Sequence, residues 1–80
     1  MVIVVYDPGF EKAVRKINDA RVKEQIKKQI AKILQTPEIG KPMRFGRSGT
    51  SEVYVASFRL SYEHLKNKLT FLELYHKDKQ

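Results

Sequence analysis

The sequence predicts a small α+β domain in which two antiparallel helices pack on one face of a mostly antiparallel sheet of about four strands, in the order β-α-α-β-β-β. Three patterns predict this fold class: a β-branched run opens the chain, apolar residues then recur at helical spacing, and an alternation of period two begins at Glu52. With 80 residues, of which 41% are hydrophobic, the chain can close one core. We therefore expect residues 1–80 to form a single domain.

Residues 2–6 are expected to form a buried strand, because this β-branched run stops at the turn sequence Asp7-Pro8-Gly9. Asp7 is a predicted N-cap, and Pro8 suits the first helical position, where an amide hydrogen would have no partner. The apolar positions of this first helix lie within an arc of about 100°. They are Phe10, Ala13, Val14 and Ile17.

A second, longer helix is predicted after Asn18, with Asp19 as its cap. It should end near Gln35, because Pro37 restricts the residue before it and removes a backbone donor. An apolar stripe of about 120° contains Val22, Ile26, Ile30, Ile33 and Leu34. The other face contains Arg21, Lys23, Lys27, Lys28 and Lys32. This basic face is either a solvated surface or a contact for RNA.

The segment after the second helix is rich in Pro, Gly and cations. Residues 36–42 are expected to be a stiff connection, residues 43–45 a short strand, and residues 46–50 an exposed loop. The loop does not match the strand-to-helix type of phosphate-binding loop, because no helix follows it. Three cations here are candidates for contacts with RNA phosphates: Lys41, Arg44 and Arg47.

The last third of the chain predicts two strand hairpins. A strand around residues 52–55 breaks at Ala56-Ser57, and residues 58–62 then pair with residues 69–75 through the turn at Lys66-Asn67-Lys68. We expect Leu72 and Leu74 on the core side of the last strand. Alternation then gives the face opposite the helices these residues: Glu52, Tyr54, Arg59, Ser61, Phe71, Glu73, Tyr75 and Lys77.

Charge and composition narrow the class of partner. Sixteen Lys and Arg against nine Asp and Glu give a formal net charge of +7, which favours a polyanion or an acidic protein. The chain has no cysteine, which suits a reducing compartment. Its longest apolar run, residues 1–6, is too short for a membrane span and lacks the features of a signal peptide. A cytoplasmic protein with no membrane partner is expected.

Four segments resemble the RelE/ParE superfamily of type II toxins, on the RelE side. They are PEIGKPMR at residues 37–44, EVYV at 52–55, FRLSY at 58–62 and YHKD at 75–78. The most specific is the aromatic-Arg-Leu-x-Tyr strand. Similar family members are ribosome-dependent endoribonucleases that cut mRNA in the decoding site and are held inactive by an antitoxin. The resemblance implies an mRNA interferase that inhibits translation, with a RelB-like antitoxin, the ribosome and mRNA as partners.

Cleavage by attack of the ribose 2′-OH needs a base, a cation at the phosphate and an acid for the 5′-oxygen. Arg59 matches the family's Arg in this strand, and its planar fork suits two phosphate oxygens. The alternative is that Arg59 pairs with Glu52 or Glu73, which also suit a role in orienting it.

Proton transfer has several candidates, because the base or acid varies within the family. They are His76, Lys77 and Tyr75, with Tyr54 as a further aromatic residue for RNA binding. Asp78 stands where relatives have a second Arg, and the chain stops at Gln80 without the C-terminal helix and late Tyr of some members.

No metal site or cofactor is expected, because the two histidines, His64 and His76, have no suitably spaced third ligand. Two other functions stay open: a non-enzymatic toxin of the ParE branch that binds and poisons DNA gyrase, and a plain RNA-binding module without toxicity. The mid-strand Arg59 and the terminal His76-Lys77 favour the nuclease, because a pure binder does not need them.

Overall fold

A computed structural model describes residues 2–42 and 50–77. The elements are β1 (Ile3–Tyr6), α1 (Pro8–Lys16), α2 (Ala20–Gln35), a 3₁₀ turn (Pro37–Ile39), β2 (Lys41–Pro42), β3 (Thr50–Val55), β4 (Phe58–Leu65) and β5 (Lys68–His76). Within the described residues the strands form one sheet in the order β1-β5-β4-β3-β2, parallel at β1–β5 and antiparallel elsewhere. The predicted fold class is confirmed, with the two-residue β2 as an additional edge strand.

Both helices begin at the predicted caps. The Asp7 carboxylate accepts a hydrogen bond from the Gly9 amide at 2.8 Å. The Asp19 carboxylate accepts two, from the amides of Arg21 at 2.9 Å and Val22 at 3.3 Å. Each cap satisfies amides that have no partner within the helix and stabilises it by about 1 kcal/mol. Among the described residues no helix is both long and apolar enough to cross a membrane.

The core lies between the two helices and one face of the sheet, and aromatic rings form its centre. The ring centroid of Phe71 in β5 lies 5.5 Å from that of Phe10 in α1 and 6.3 Å from that of Tyr62 in β4. Ile26 and Ile33 of α2 are buried beside them. The other face of the sheet is left uncovered by the helices, and it is called the open face below.

Two predictions of burial are wrong. β1 is an edge strand with only β5 beside it, and Ile3 is 63% and Tyr6 40% exposed. A β-branched run has the same sequence pattern whether one or both of its faces are covered, and here the helices cover one. Leu34 is 37% exposed, because it lies at the margin of the apolar stripe of α2.

A β-bulge at Leu72 in β5 reverses the predicted facing of Phe71. Ser61 pairs with Glu73, but the next residue of β4, Tyr62, pairs with Phe71, so Leu72 has no direct opposite. Phe71 therefore faces the helices and is fully buried, whereas Leu72 is only half-buried. An inserted residue shifts a period-two pattern by one, so strict alternation assigns the residues before it to the wrong face.

Two-residue turns join the central strands at the predicted breaks. Ala56-Ser57 connects β3 to β4, and Lys66-Asn67 connects β4 to β5. Ala56 has φ 53° and Lys66 has φ 52°, in the left-handed region that costs a residue with a Cβ about 1–2 kcal/mol. These tight turns fix the register of the three long strands.

The region between α2 and β3 differs in part from the prediction. Lys41 and Pro42 form β2 where a stiff connection is expected, after a short 3₁₀ turn. The strand predicted at residues 43–45 lies outside the described residues, and so do Arg44 and Arg47.

Candidate functional site

Arg59 lies at the centre of the open face. It belongs to β4, the middle strand, and is directly opposite Tyr54 of β3 on one side and Tyr75 of β5 on the other. Residues paired in this way have Cβ atoms about 5 Å apart and point to the same face. The strand register therefore brings together three residues that the sequence assigns to RNA binding and cleavage.

The two tyrosines hold the guanidinium of Arg59 from both sides. Its Cζ atom lies 5.2 Å from the centroid of the Tyr54 ring, within cation–π range. A hydrogen bond to the Tyr75 side chain raises the pKa of Arg59 above its ordinary value. The negative charge of the nearby Glu52 carboxylate raises the pKa further, whereas desolvation lowers it. The result is a permanently charged group with a restricted orientation. Arg59, Tyr54 and Tyr75 are together called the Arg59 centre below.

An acidic row lies beside the Arg59 centre on the same face. Ser61 of β4 is directly opposite Glu52 of β3 and Glu73 of β5. Of these two carboxylates, Glu52 is the one whose charge raises the pKa of Arg59. Ser61 is 1% exposed, and its Oγ has no hydrogen-bond partner among the described residues. The described residues contain no group of three or more side chains suited to hold a metal ion.

Lys41 lies on the open face but away from the Arg59 centre. It is the first residue of β2 and pairs directly with Glu52, two strands from β4. Its side chain is exposed. The other two predicted phosphate contacts, Arg44 and Arg47, follow it in the chain outside the described residues. Of the three predicted phosphate contacts, Lys41 is therefore the one that lies within the described residues.

The remaining candidates for proton transfer come after Tyr75. His76 is directly opposite Phe58, and the two rings meet edge-on with centroids 5.5 Å apart. By alternation His76 belongs to the helix side of β5, so the structure does not bring it to the open face. Lys77 follows the strand, with an exposed side chain, and its backbone N–H donates a hydrogen bond to the Ser57 carbonyl at 2.9 Å.

A buried tyrosine that the sequence assigns only to the core fixes the start of β2. The Tyr62 hydroxyl donates a hydrogen bond to the Pro37 carbonyl at 2.5 Å and accepts one from the Gly40 amide at 3.0 Å. A Cβ at Gly40 would lie 2.5 Å from that hydroxyl oxygen, so the approach requires glycine. A buried Tyr signals that its hydroxyl has a partner, but not which partner. This connection positions Lys41 relative to β4.

The Arg59 centre has the chemistry of a site for single-stranded nucleic acid. A guanidinium fork binds two phosphate oxygens, and an exposed aromatic ring stacks on a base. Tyr54 is 54% exposed, so it remains accessible beside Arg59.

Comparisons with known proteins identify the fold. No family model matches the sequence, and no curated protein matches it. The isolated RelE toxin of E. coli superposes with a TM-score of 0.82 at 20% identity, over 100% of this chain and 88% of that one. A chain of the intact E. coli RelBE toxin–antitoxin complex superposes with a TM-score of 0.79 at 22% identity, and the match covers 95% of this chain and 96% of that one. The YoeB/ParE toxin from Agrobacterium tumefaciens superposes with a TM-score of 0.79 at 19% identity, and the match covers 94% of this chain and 98% of that one. The chain therefore has the fold of the RelE-type toxins.

Proposed function

We propose that this protein is the toxin of a type II toxin–antitoxin system and acts in the cytoplasm as a ribosome-dependent endoribonuclease that cuts mRNA. The observation that carries the proposal is the Arg59 centre, a charged guanidinium held between two tyrosines on the open face. The RelE-like fold supports it, since solved proteins with this fold are described as toxins.

Arg59 stabilises the phosphate during the reaction. As the ribose 2′-OH attacks the adjacent phosphorus, a base takes its proton, and His76 and Lys77 are the candidates for that role. Negative charge grows on the phosphoryl oxygens, and two N–H groups of the guanidinium accommodate it. Because Tyr54 and Tyr75 restrict the guanidinium before RNA arrives, little reorganisation is needed in the transition state. The bond to the 5′-oxygen then breaks, leaving a 2′,3′-cyclic phosphate and a 5′-hydroxyl.

We assign Tyr75 the role of the acid that donates a proton to the departing 5′-oxygen. Its side chain is hydrogen-bonded to Arg59 and therefore lies beside the bound phosphate. Lys77, exposed at the end of the same strand, is the second candidate. His76 is the third, since it would have to leave its contact with Phe58 to reach the open face. Tyr54 stacks on a base, and Lys41, Arg44 and Arg47 contact phosphates along the RNA.

The proposal is tested by the cleavage rate on mRNA bound to purified ribosomes. Arg59→Ala should lower the rate by about 10²–10³-fold, the usual effect of removing one group that stabilises a transition-state oxyanion. Arg59→Lys should fall between, because it keeps the charge and loses the fork. Lys68→Ala, which removes a cation at the far end of the same face, is the matched control and should cut normally. Equal rates for Arg59→Ala and wild type would refute the site.

An antitoxin is the proposed protein partner. A groove of about 280 Å³ between the helices and β1 is lined mainly by Tyr6, Phe10, Val14 and Ile30. It lies beside the exposed edge strand β1, so one apolar segment of a partner can bury both. The net charge of +7 suits an acidic partner. Val14→Lys, at a half-buried residue of the groove lining, should weaken neutralisation by a co-expressed cognate antitoxin without lowering toxicity.

Gyrase poisoning is the second candidate, because one of the similar structures is named a YoeB/ParE toxin. A supercoiling assay separates the two functions. Inhibition of gyrase by both wild type and Arg59→Ala, with mRNA intact, would favour the ParE-like function.

A further inference from the structure

Ser61 has an unusual environment for a residue of the open face. It is 1% exposed although the helices cover the other face of the sheet, and its Oγ has no hydrogen-bond partner among the described residues. A buried hydroxyl without a partner costs stability, so folded proteins keep few of them. Ser61 lies directly between Glu52 and Glu73, and all three face the same side. This location favours a ligand as the partner of the hydroxyl.

The two carboxylates beside Ser61 differ in their surroundings. Glu52 is half-buried, and its charge acts on Arg59. Glu73 is exposed on the β5 side of the row. An ionised carboxylate offers two acceptor oxygens and no donor, whereas a hydroxyl can donate. Ser61 and Glu73 therefore present one donor beside two acceptors.

A base of the RNA suits this position better than a phosphate does. The carboxylates repel a phosphate, and Arg59, two residues earlier in β4, offers it a cation. Residues spaced in this way are about 7 Å apart along a strand. That spacing is close to the separation between the phosphate and the base of one nucleotide. A nucleotide whose phosphate lies at Arg59 can therefore place its base over Ser61 and Glu73.

We propose that Ser61 and Glu73 bind the Watson–Crick edge of a guanine in single-stranded RNA, beside the phosphate held by Arg59. The inference rests on the proposed function, which brings RNA to Arg59, and it adds a base preference to that function. Guanine presents the acceptor O6 followed by the donors N1–H and N2–H. The Ser61 hydroxyl donates to O6, and the Glu73 carboxylate accepts from both N–H groups. Ser61 and Glu73 are together called the guanine subsite.

The other three bases do not match the guanine subsite. Adenine and cytosine each present a ring nitrogen with a lone pair where guanine has N1–H, and uracil presents a carbonyl oxygen in place of the N2 amino group. Each of them leaves an oxygen of Glu73 facing another lone pair. A site whose polar groups are paired by one ligand rejects an analogue that leaves them unpaired. Tyr54 lies on the β3 side of Arg59, so the base that stacks on it is a different one.

The test measures two quantities after circular dichroism confirms that each variant folds. One is the binding of RNA trinucleotides, followed by NMR titration, and the other is the cleavage of ribosome-bound mRNA with one base changed. The trinucleotide UGU is compared with UIU, in which inosine lacks only the N2 amino group, and with UUU. Glu63→Gln is the matched control for Glu73→Gln. Glu63 lies on the same face, two residues beyond Ser61, opposite Thr50 and Thr70.

The wild type should bind UGU about tenfold more tightly than UIU, within the range for a bidentate contact to a base. Glu73→Gln should remove this difference, because an amide offers one acceptor oxygen in place of two, and Glu63→Gln should keep it. Ser61→Ala should weaken UGU and UIU alike, because both bases have O6. Arg59→Ala should weaken all three trinucleotides by the same factor. On ribosomes, cleavage should follow the same order of bases.

Equal affinity of the wild type for UGU and UIU, or no binding of either, would overturn the inference. The same loss of preference in Glu73→Gln and Glu63→Gln would also overturn it, because negative charge alone would explain the preference. A loss in Glu73→Gln that is equal for every trinucleotide would mean that the carboxylate acts through Arg59, and the guanine subsite would be wrong. If mRNA is not cut but UGU is still preferred through Glu73, the proposed nuclease fails and the guanine subsite stands.

Discussion

The hydroxyl of Tyr62 should be a main determinant of stability, and Tyr62→Phe removes it while leaving the ring in place. That hydroxyl is the partner of the Pro37 carbonyl and of the Gly40 amide, which joins α2 to β2. Tyr62 is 0% exposed, so water does not readily replace the lost oxygen. The substitution therefore leaves one donor and one acceptor without a partner in the interior.

The magnitude follows from the two lost hydrogen bonds. A buried group left without a partner costs about 1–3 kcal/mol, so the pair should cost about 2–6 kcal/mol. For a domain of this size 1 kcal/mol shifts Tm by roughly 4–8 °C, which gives a fall of at least roughly 8 °C. The whole free energy of unfolding is roughly 4–12 kcal/mol at this length, so the variant should lose a large share of it.

Thermal and urea unfolding followed by circular dichroism measure the effect. Tyr54→Phe is the matched control, since Tyr54 is 54% exposed and is not part of the core. The control should change stability by less than about 0.5 kcal/mol. Equal Tm values for Tyr62→Phe and Tyr54→Phe would refute the structural role of this hydroxyl.

Three further predictions concern stability. Burial raises the pKa of Tyr62 above its ordinary 10.0. The neutral hydroxyl therefore stabilises the fold fully below pH 10, and this stabilisation is lost as the pH rises through the pKa of the folded protein. Urea midpoints measured from neutral to alkaline pH should fall in the wild type by an amount that Tyr62→Phe does not show. Gly40→Ala should cost about 1–3 kcal/mol by overpacking, and less when combined with Tyr62→Phe, which a double-mutant cycle measures. Ala56→Gly should stabilise by up to about 1 kcal/mol, because φ 53° suits glycine, as urea unfolding would show.

Each of these three stability predictions has an outcome that would contradict it. Parallel alkaline transitions in wild type and Tyr62→Phe would show that another group titrates. Strict additivity of Gly40→Ala and Tyr62→Phe would mean that the two sites do not interact. A destabilised Ala56→Gly variant would mean that the entropy lost by glycine exceeds the relief of strain at the turn.

Local signals predicted the helices and much of the open face. The caps at Asp7 and Asp19 are short-range hydrogen bonds, and an apolar period of 3.6 needs no knowledge of the partner. Alternation placed Tyr54, Arg59 and Tyr75 on one face, because Tyr75 is counted from Leu74 and both residues follow the bulge at Leu72. Which of them are direct neighbours depends on strand register, which the sequence does not encode locally.

The features that were missed depend on contacts far apart in the chain. Leu72 is apolar whether it is a core residue or a bulge, so composition gives no sign of the inserted residue. Ile3 is exposed because β1 pairs on one side only, with a strand about 65 residues later. Tyr62 and Gly40 are 22 residues apart, and nothing in either local sequence indicates their hydrogen bond.

The measurement that most directly tests the central claim is primer extension on an mRNA being translated by purified ribosomes, with wild type and Arg59→Ala compared side by side. New RNA ends within codons are expected only with wild type and only when ribosomes are present. Intact mRNA with unaffected translation, or the same cuts made by Arg59→Ala, would contradict it.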